Sequence, residues 1–557
     1  MDLNKIWYTV FFSLSITSLI AQQNRYFIFY SDKDNTPYSI ERPSEYLSER
    51  SIQRRERQLL RITEEDLPVD PAYVQEVRDL GIDVFYNSKW LNGSVVQTDP
   101  SNIESVLALN FVDSVAFLAP GERLLNISSD KRKSKRGKKK KRTSSESNVE
   151  KFQGSLPQLN MLDVPLMHSQ GYSGQGMLVA VFDGGFRNLE TDEELDHLLQ
   201  NDQVLDHFNF VLNDEFVYDY SEHGTQVLSC MASASPSLLG VVPDAEYLLY
   251  VTEDVRPEHR VEEMNWLLAA ERADSIGVDV INSSVGYVDF DDPSMTYSFE
   301  DFDGQSILVT IAAEKAFAKG IITVCSAGNE RGFGGWDGIT GPADGENVIA
   351  VGAITQDTLL ANFSSMGPTF DGRIKPDVIA MGVRTIVSRG AGITTNNGTS
   401  FASPLVAGLV AGYWQSEREL SAFEVVESIR NSGHIFNTNQ VNDLYGFGIP
   451  SFSRLNNGAI PVNDVITSIG EGFETEVKIY PNPLDNTELY ISPGSYFSNS
   501  ELRVSIFDLN GQIQLDLIER LQISDPIIID TIDLTQGTYV LNIADGEREF
   551  STRIIKK

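Results

Sequence analysis

Five runs of strand length and almost wholly apolar character constrain this chain more than any other feature: Met177–Phe182, Tyr247–Val251, Val278–Ser283, Ile321–Cys325 and Val348–Ala353. A strand that stays apolar along its length, without alternation, is buried on both faces. Helical stretches lie between several of the runs, among them Val261–Ile276 and Gln305–Lys319. This alternation predicts a three-layer α/β domain over about 151–458, with a parallel sheet covered by helices on both faces. Sheets of this kind build their sites at the carboxyl ends of their strands. The polar residues that close these runs are therefore where chemistry is to be sought.

The flanking segments have other textures. Residues 22–120 read as an α+β domain of ferredoxin-like order. Its strands are Tyr26–Tyr30, Ile82–Asn87, Gly93–Thr98 and Val112–Leu118. Two helices begin at Asp70-Pro71 and Asp99-Pro100, each pairing a capping acid with a proline at the first helical position. Their apolar stripes are Tyr73, Val77 and Leu80 in one, and Ile103, Val106 and Leu107 in the other. A further basic helix, roughly Glu49–Leu60, is inserted after the first strand. Residues 472–557 read as an all-β sandwich. Runs such as Glu476–Tyr480, Leu502–Phe507 and Tyr539–Ala544 are punctuated by the turn dipeptides Asn510-Gly511 and Asp545-Gly546. Residues 459–471 serve as a linker.

Charge separates the domains. The 557 residues carry 44 Lys and Arg against 79 Asp and Glu, a formal charge of −35. So acidic a chain repels nucleic acid and anionic membranes, and we expect no nucleic-acid partner. Against this trend, KRKSKRGKKKKR at 131–142 contains no acid. With the Ser- and Glu-rich residues after it, it marks 121–150 as a solvated linker open to proteolysis. At the other extreme, Lys5 precedes an apolar stretch from Ile6 to Ile20, then Ala21 and a polar Gln22-Gln23-Asn24, so residues 1–21 read as a secretory signal. The two cysteines, Cys230 and Cys325, cannot form a disulfide framework for a chain of this length, and we read both as buried small side chains.

Four strand and helix junctions carry groups suited to amide hydrolysis, which needs a nucleophile, a base and oxyanion donors. Asp183 ends Met177-Leu-Val-Ala-Val-Phe-Asp and is followed by two glycines. His223 lies in Ser221-Glu-His-Gly-Thr-Gln-Val-Leu228, and none of the other five histidines has a comparable setting. His197 and His207 are expected at the surface. Asn329 closes Ile321-Ile-Thr-Val-Cys-Ser-Ala-Gly-Asn329. Ser400 lies in Asn397-Gly-Thr-Ser-Phe-Ala-Ser-Pro-Leu-Val-Ala-Gly408, which predicts a helix N-terminus at the serine with Pro404 in its first turn.

Taken together, in the order Asp, His, Asn, Ser, these segments resemble the subtilisin-like serine peptidases (subtilases). Asn282-Ser-Ser-Val-Gly-Tyr287, Gly341-Pro-Ala343, Asn347-Val-Ile-Ala-Val-Gly-Ala353, Phe363-Ser-Ser-Met-Gly367 and Lys375-Pro-Asp-Val378 extend the likeness over about 170–450. The resemblance implies a subtilisin-like fold and a secreted serine endopeptidase acting through an acyl-enzyme. Ser400 would be the nucleophile, His223 the general base, Asp183 its orienting partner, and Asn329 with the Ser400 N–H the oxyanion hole. The backbone of Ser283, Ser284, Val285 and Gly286 would pair with an extended peptide. The alternative is a catalytically inactive surface binding protein on the same fold.

Three departures stand out. Gly184 replaces the Thr or Ser usual after the aspartate, Phe401 replaces the methionine after the nucleophile, and Ser233–Gly240 lacks the Asn-rich calcium loop of several relatives. No metal site or cofactor is carried over. Residues 22–120 resemble the family's propeptide. Ile479-Tyr-Pro-Asn-Pro483, Gly537-Thr-Tyr-Val-Leu-Asn-Ile543 and Ile554-Ile-Lys-Lys557 resemble the C-terminal sorting domain of Bacteroidetes type IX secretion. The partners implied are polypeptide substrates, the chain's own propeptide and the type IX secretion machinery. We expect a monomer, secreted or held at the outer cell surface.

Overall fold

The computed structural model describes residues 23–121, 154–254, 258–332, 336–390, 392–436, 438, 440–456, 478–480, 484, 488–492, 501–508, 513–520, 527–531, 534–544 and 549–556. The expected signal segment, all but the first residue of the 121–150 linker, and the 459–471 linker lie outside them.

The N-terminal domain runs β1 (Asn24–Tyr30), α1 (Glu49–Arg57), α2 (Pro71–Asp79), β2 (Asp83–Ser88), β3 (Gly93–Thr98), α3 (Ile103–Leu107) and β4 (Val112–Ala119). Its strands form one antiparallel sheet in the order β2-β3-β1-β4, the ferredoxin-like order interrupted by α1. The Asp70 side chain accepts the Ala72 N–H at 2.8 Å and caps α2 as expected, whereas Asp99, accepting the Ser101 N–H at 2.8 Å, caps a 3-10 turn at Pro100–Asn102 that leads into α3. The stripes need correction at their ends. Leu80 is the residue capping α2 and is 39% exposed, while Leu107 closes a helix of five residues and is 51% exposed. Val77 and Val106 fill the core as expected, joined by Val74, against Tyr26, Ile28 and Tyr30 on one face of β1. Phe27 points to the other face, and with Val95 and Leu118 it joins the core of the next domain. The period of two along β1 thus buries both faces of the sheet.

The central domain runs α4 (Leu156–Met161), α5 (Val164–Ser169), β5 (Leu178–Asp183), α6 (Asp196–Gln200), β6 (Val204–Asn209), α7 (His223–Ala232), β7 (Glu246–Val251), α8 (Val261–Ile276), β8 (Val280–Ser283), α9 (Leu308–Ala318), β9 (Ile322–Ser326), β10 (Ile349–Ile354), β11 (Val378–Met381), β12 (Thr385–Ser388), β13 (Ile393–Asn396) and α10 (Thr399–Ser416). Seven strands form one parallel sheet in the order β11-β10-β9-β8-β5-β7-β6. It contains the five expected strands and adds β6 and β11 at its edges. Leu178, Ala180 and Phe182 of β5 pack with Trp266 and Leu267 of α8 and with Ala312 of α9. α7 and α10 cover the opposite face. α8 lies between the central sheet and the N-terminal sheet, which is why it is buried on more than one side. β12 and β13 form a separate antiparallel hairpin before α10.

The sheet order places β5 at a switch point, with β7 hydrogen-bonded on one side and β8 on the other. The carboxyl end of β5 therefore opens into the crevice where such folds bind ligands. Asp183 is the last residue of that strand.

The C-terminal unit holds β14 (Lys478–Tyr480), β15 (Glu488–Ser492), β16 (Glu501–Asp508), β17 (Ile513–Arg520), β18 (Ile527–Asp530), β19 (Gly537–Ala544) and β20 (Glu549–Lys556). Sheets of order β14-β15-β18 and β17-β16-β19-β20, antiparallel throughout, share a core of Leu489, Ile491, Val504, Ile506, Leu541 and Ile543. Asn510-Gly511 and Asp545-Gly546 lie outside the described residues, between the paired strands β16/β17 and β19/β20. Among the described residues, no helix is long and apolar enough to cross a membrane.

Candidate active site

Asp183 is 1% exposed, and its Oδ1 accepts the Gly184 N–H at 2.7 Å. The main chain thus supplies one donor to the carboxylate at the position where a hydroxyl side chain is missing. Gly185 follows at φ 141°, where a Cβ would meet the Asp219 carbonyl at 2.5 Å, so the sharp exit from β5 requires glycine.

His223 opens α7, its N–H donating to Ser221 Oγ at 3.1 Å. A Cβ on Gly224 would lie 2.9 Å from Asp183 Cβ, so this glycine lets the helix start press against the end of β5. The contact brings His223 Nδ1 to 2.8 Å from Asp183 Oδ2 and 3.0 Å from Oδ1. With Nδ1–H donating to the carboxylate, Nε2 is the ring nitrogen left to act as a base. The side chain is 34% exposed. Burial disfavours its cation, but the Asp183 charge and hydrogen bond outweigh this and raise its pKa above the ordinary value of 6.5.

Ser400 is the second residue of α10, directly after Gly398 (φ 150°) and Thr399, and is 7% exposed. Its Oγ donates to the Ser284 carbonyl at 3.2 Å, and among the described residues no hydrogen bond joins it to His223. The ring of Phe401 lies 5.5 Å from that of His223, centre to centre, so the residue after the serine packs on the histidine.

Pro404 is the sixth residue of α10 and lies in its second turn, not the first as expected. The structure shows how the helix tolerates it. Proline has no N–H to give to the carbonyl four residues back. That carbonyl belongs to Ser400, and it accepts from Ser284 Oγ at 2.9 Å instead. Asn282 Nδ2 donates to Ser284 Oγ at 3.1 Å, and Ser403 Oγ to Asn282 Oδ1 at 2.8 Å, so three side chains and the Ser400 carbonyl bind the end of β8 to the start of α10. Ser283 differs from its neighbour. Its Oγ accepts from Trp266 Nε1 at 2.9 Å in the core. Val285 and Gly286 are partly exposed, and Tyr287 exchanges two 3.0 Å backbone hydrogen bonds with Gly341.

Asn329 follows β9. Its Oδ1 accepts from the Thr399 N–H at 2.9 Å and from Thr399 Oγ1 at 3.0 Å, which leaves the NH2 as the end of the amide free for a ligand. Thr399 and the Ser284 hydroxyl hold the candidate residues Asn329 and Ser400 in place, a part that motif reading passed over; Thr399 was visible only as the middle of Gly-Thr-Ser.

Behind the cleft, Glu253 bonds to Thr252 and to the Tyr287 hydroxyl, and burial pushes its carboxyl up to about 8. His197 and His207, expected at the surface, are half-buried, and burial lowers the His197 pKa. Cys230 and Cys325 are free and buried, and burial pushes both thiols up. Among the described residues, no group of three or more His, Cys, Asp or Glu is placed to hold a metal ion.

Comparison with known proteins finds three matches along the chain. A model of the subtilase family covers residues 174–448, a Bacteroidota peptidase S8 propeptide domain covers 25–139, and a secretion system C-terminal sorting domain covers 478–557. The propeptide match runs into the basic segment. Subtilisin E of Bacillus subtilis is 34% identical over 259 residues, 45% of this chain and 59% of that protein. Subtilisin of Bacillus pumilus is 33% identical over 259 residues, 45% of this chain and 82% of that protein. Subtilisin DY of Bacillus licheniformis is 30% identical over 262 residues, 46% and 84%. The chain spans about 59% of the length of subtilisin NAT, as of subtilisin E.

Proposed function

This chain belongs to the subtilase family, and from that premise we propose that it is a secreted serine endopeptidase with Asp183, His223 and Ser400 as its triad. The observation that carries the reading is the buried Asp183 carboxylate holding His223 Nδ1 at 2.8 Å, at the sheet edge that also receives the Ser400 end of α10. The C-terminal sorting domain marks the chain for type IX export to the cell surface or beyond.

In the proposed reaction an extended peptide pairs with the backbone of 284–286, and Ser400 Oγ turns from the Ser284 carbonyl towards His223 Nε2. Such catalytic hydrogen bonds tighten only when substrate arrives. As Oγ attacks the scissile carbonyl, Nε2 takes the hydroxyl proton and Asp183 stabilises the imidazolium without taking a proton itself. The negative oxygen is met by the Ser400 N–H, at a helix N-terminus, and by the Asn329 NH2. Collapse breaks the C–N bond, and the Nε2 proton leaves with the amine. Water, deprotonated by the same nitrogen, then hydrolyses the ester. The residues 22–120 serve as propeptide, and the basic run at 131–142 is the place assigned to its removal.

The inactive reading finds its support in the Ser400 hydroxyl, which is spent on Ser284. Both readings meet in one experiment. Mature protein is expected to hydrolyse an unfolded protein substrate, and Ser400→Ala to abolish that activity. Equal hydrolysis by both would remove the triad.

A further inference from the structure

A parallel sheet has two edges, and the candidate residues occupy only one of them. Asp183 ends β5 and Asn329 follows β9, both at carboxyl ends, whereas 277–279 and 319–321 lead from the ends of α8 and α9 into the amino ends of β8 and β9. A helix leaves its last carbonyls without partners of its own. The cap of α8, made by the N–H groups of Gly277 and Val278, reaches back only to the carbonyls of Ala273 and Asp274. The next four carbonyls are taken by the N-terminal domain. Those of Ser275 and Ile276 accept from the Ser48 N–H at 2.8 Å and from its Oγ at 2.7 Å. That of Gly277 accepts from Arg50 Nε at 2.9 Å, and that of Val278 from Arg54 Nη1 at 2.6 Å. Beyond α9, the Lys319 carbonyl accepts from Arg54 Nε at 3.1 Å and the Gly320 carbonyl from Gln58 Nε2 at 2.9 Å. Gln58 Oε1 in turn accepts, at 2.8 Å, the N–H of Ala422, the first residue of α11 (Ala422–Asn431).

Charge follows the same division. Asp274 near the end of α8 is fully buried, and the three cations that meet it, Arg54, Arg55 and Lys89, all come from the first domain. Asp279, 1% exposed at the entry to β8, receives Arg50 Nη2 at 2.5 Å. Yet among the described residues none of 48–58 joins the apolar core of the N-terminal domain, or that of the central one. The sheet of the first domain attaches through apolar residues such as Phe27, Val95 and Leu118; α1 attaches through hydrogen bonds and buried ion pairs. By chain α1 belongs to the first domain, and by bonding to the second.

We propose that 48–58 is a permanent structural part of the peptidase domain, kept as a separate bound chain once the basic run is cut. That it becomes separate rests on the reading of 131–142 as the processing site. Its departure would strip Asp274 of the cations that offset its burial and would open the ends of three helices at once. Its presence costs the reaction nothing, because it grips the amino edge of the sheet while the triad lies at the carboxyl edge. The His223 side chain is already 34% exposed with α1 in place.

The test takes the secreted wild-type protein, washed in about 1 M salt, which screens exposed charges far more than buried ones. Native and denaturing mass spectrometry then count its chains. The expected result is two chains in equal amounts, the smaller containing at least 48–58. A cut, folded protein without these residues overturns the proposal and leaves the processing reading standing. A protein continuous through 131–142 overturns that reading, and the separate chain with it. Arg54→Met should make loss of the small chain about 100-fold faster, followed by size exclusion after dilution. Gln58→Ala removes two neutral hydrogen bonds and no buried charge, so it keeps the test open if Arg54→Met fails to fold; about 10-fold faster loss is expected. Loss as slow as in the wild type from a folded variant of either kind would overturn the role given to α1.

Discussion

An imidazole gripped by a buried carboxylate keeps its proton to higher pH than one in water, and His223 is in that position. Its raised pKa stabilises the fold fully below 6.5, and this stabilisation is lost as pH rises through the folded value. For catalysis the sense is reversed, because the base must be neutral. We predict that kcat/KM of the wild type rises with pH with a midpoint above 6.5. Asp183→Asn should lower that midpoint and reduce kcat by about 10⁴-fold, through loss of the charge and of the ring orientation. A pH–rate profile measures both, and an unmoved midpoint would contradict the role given to Asp183. At this scale, the candidate residues could be picked out in advance because strand-Asp-Gly-Gly and the His-Gly helix start, each common alone, stand in one order with Asn-Gly-Thr-Ser, a string with few other uses. The Ser284–Ser400 bonds were not legible, because they depend on which turn of α10 holds Pro404.

Among the elements, α1 shows where reading charge from sequence goes wrong. Glu49-Arg-Ser-Ile-Gln-Arg-Arg-Glu-Arg57 has the composition of a solvated helix, yet Arg54 and Arg55 are 0% and 1% exposed. Arg54 meets Asp274 of α8 at 2.6 Å, and Arg55 bridges Asp66 at 3.0 Å and Asp274 at 2.9 Å. Lys89 adds a third cation to Asp274, at 3.0 Å. No local pattern could show this, since Arg54 and Asp274 are 220 residues apart. The strands of the central sheet, by contrast, declared themselves through unbroken apolar runs. Burial alone would raise the Asp274 pKa, but Lys89, Arg55 and Arg54 overcome it and hold the carboxyl well below its ordinary value of 3.8. The resulting stabilisation is complete above that ordinary value and is lost only as pH falls through the lower folded one. Mild acid should therefore leave the N-terminal domain attached. Arg54→Met, which leaves a buried carboxylate short of a partner, should weaken that attachment by about 3–5 kcal/mol. Hydrogen exchange of α1 and the facing turns of α8 in the full chain is the measurement, and unchanged protection would contradict the account.

The molecule as a whole divides its work along the chain. An N-terminal domain covers one face of α8, a parallel sheet gathers the reactive groups at its carboxyl edge, and a β-rich tail carries the sorting signal. The acidic balance of the chain is interrupted by the basic segment that joins the first two. Domain order was legible because each part has its own texture: alternation in the tail, unbroken runs in the centre and capped helices at the start. How closely the first domain is bound to the second was not, because it rests on contacts between segments far apart in sequence. The central claim concerns chemistry: a hydroxyl at the head of α10 made nucleophilic by an imidazole and carboxylate from two other elements. Its most direct test is to expose the mature protein to a fluorophosphonate and map the adduct by mass spectrometry. The account predicts one adduct, on Ser400, and none when His223 is replaced by alanine. An unlabelled Ser400 in folded, propeptide-free protein, or equal labelling without His223, would contradict it.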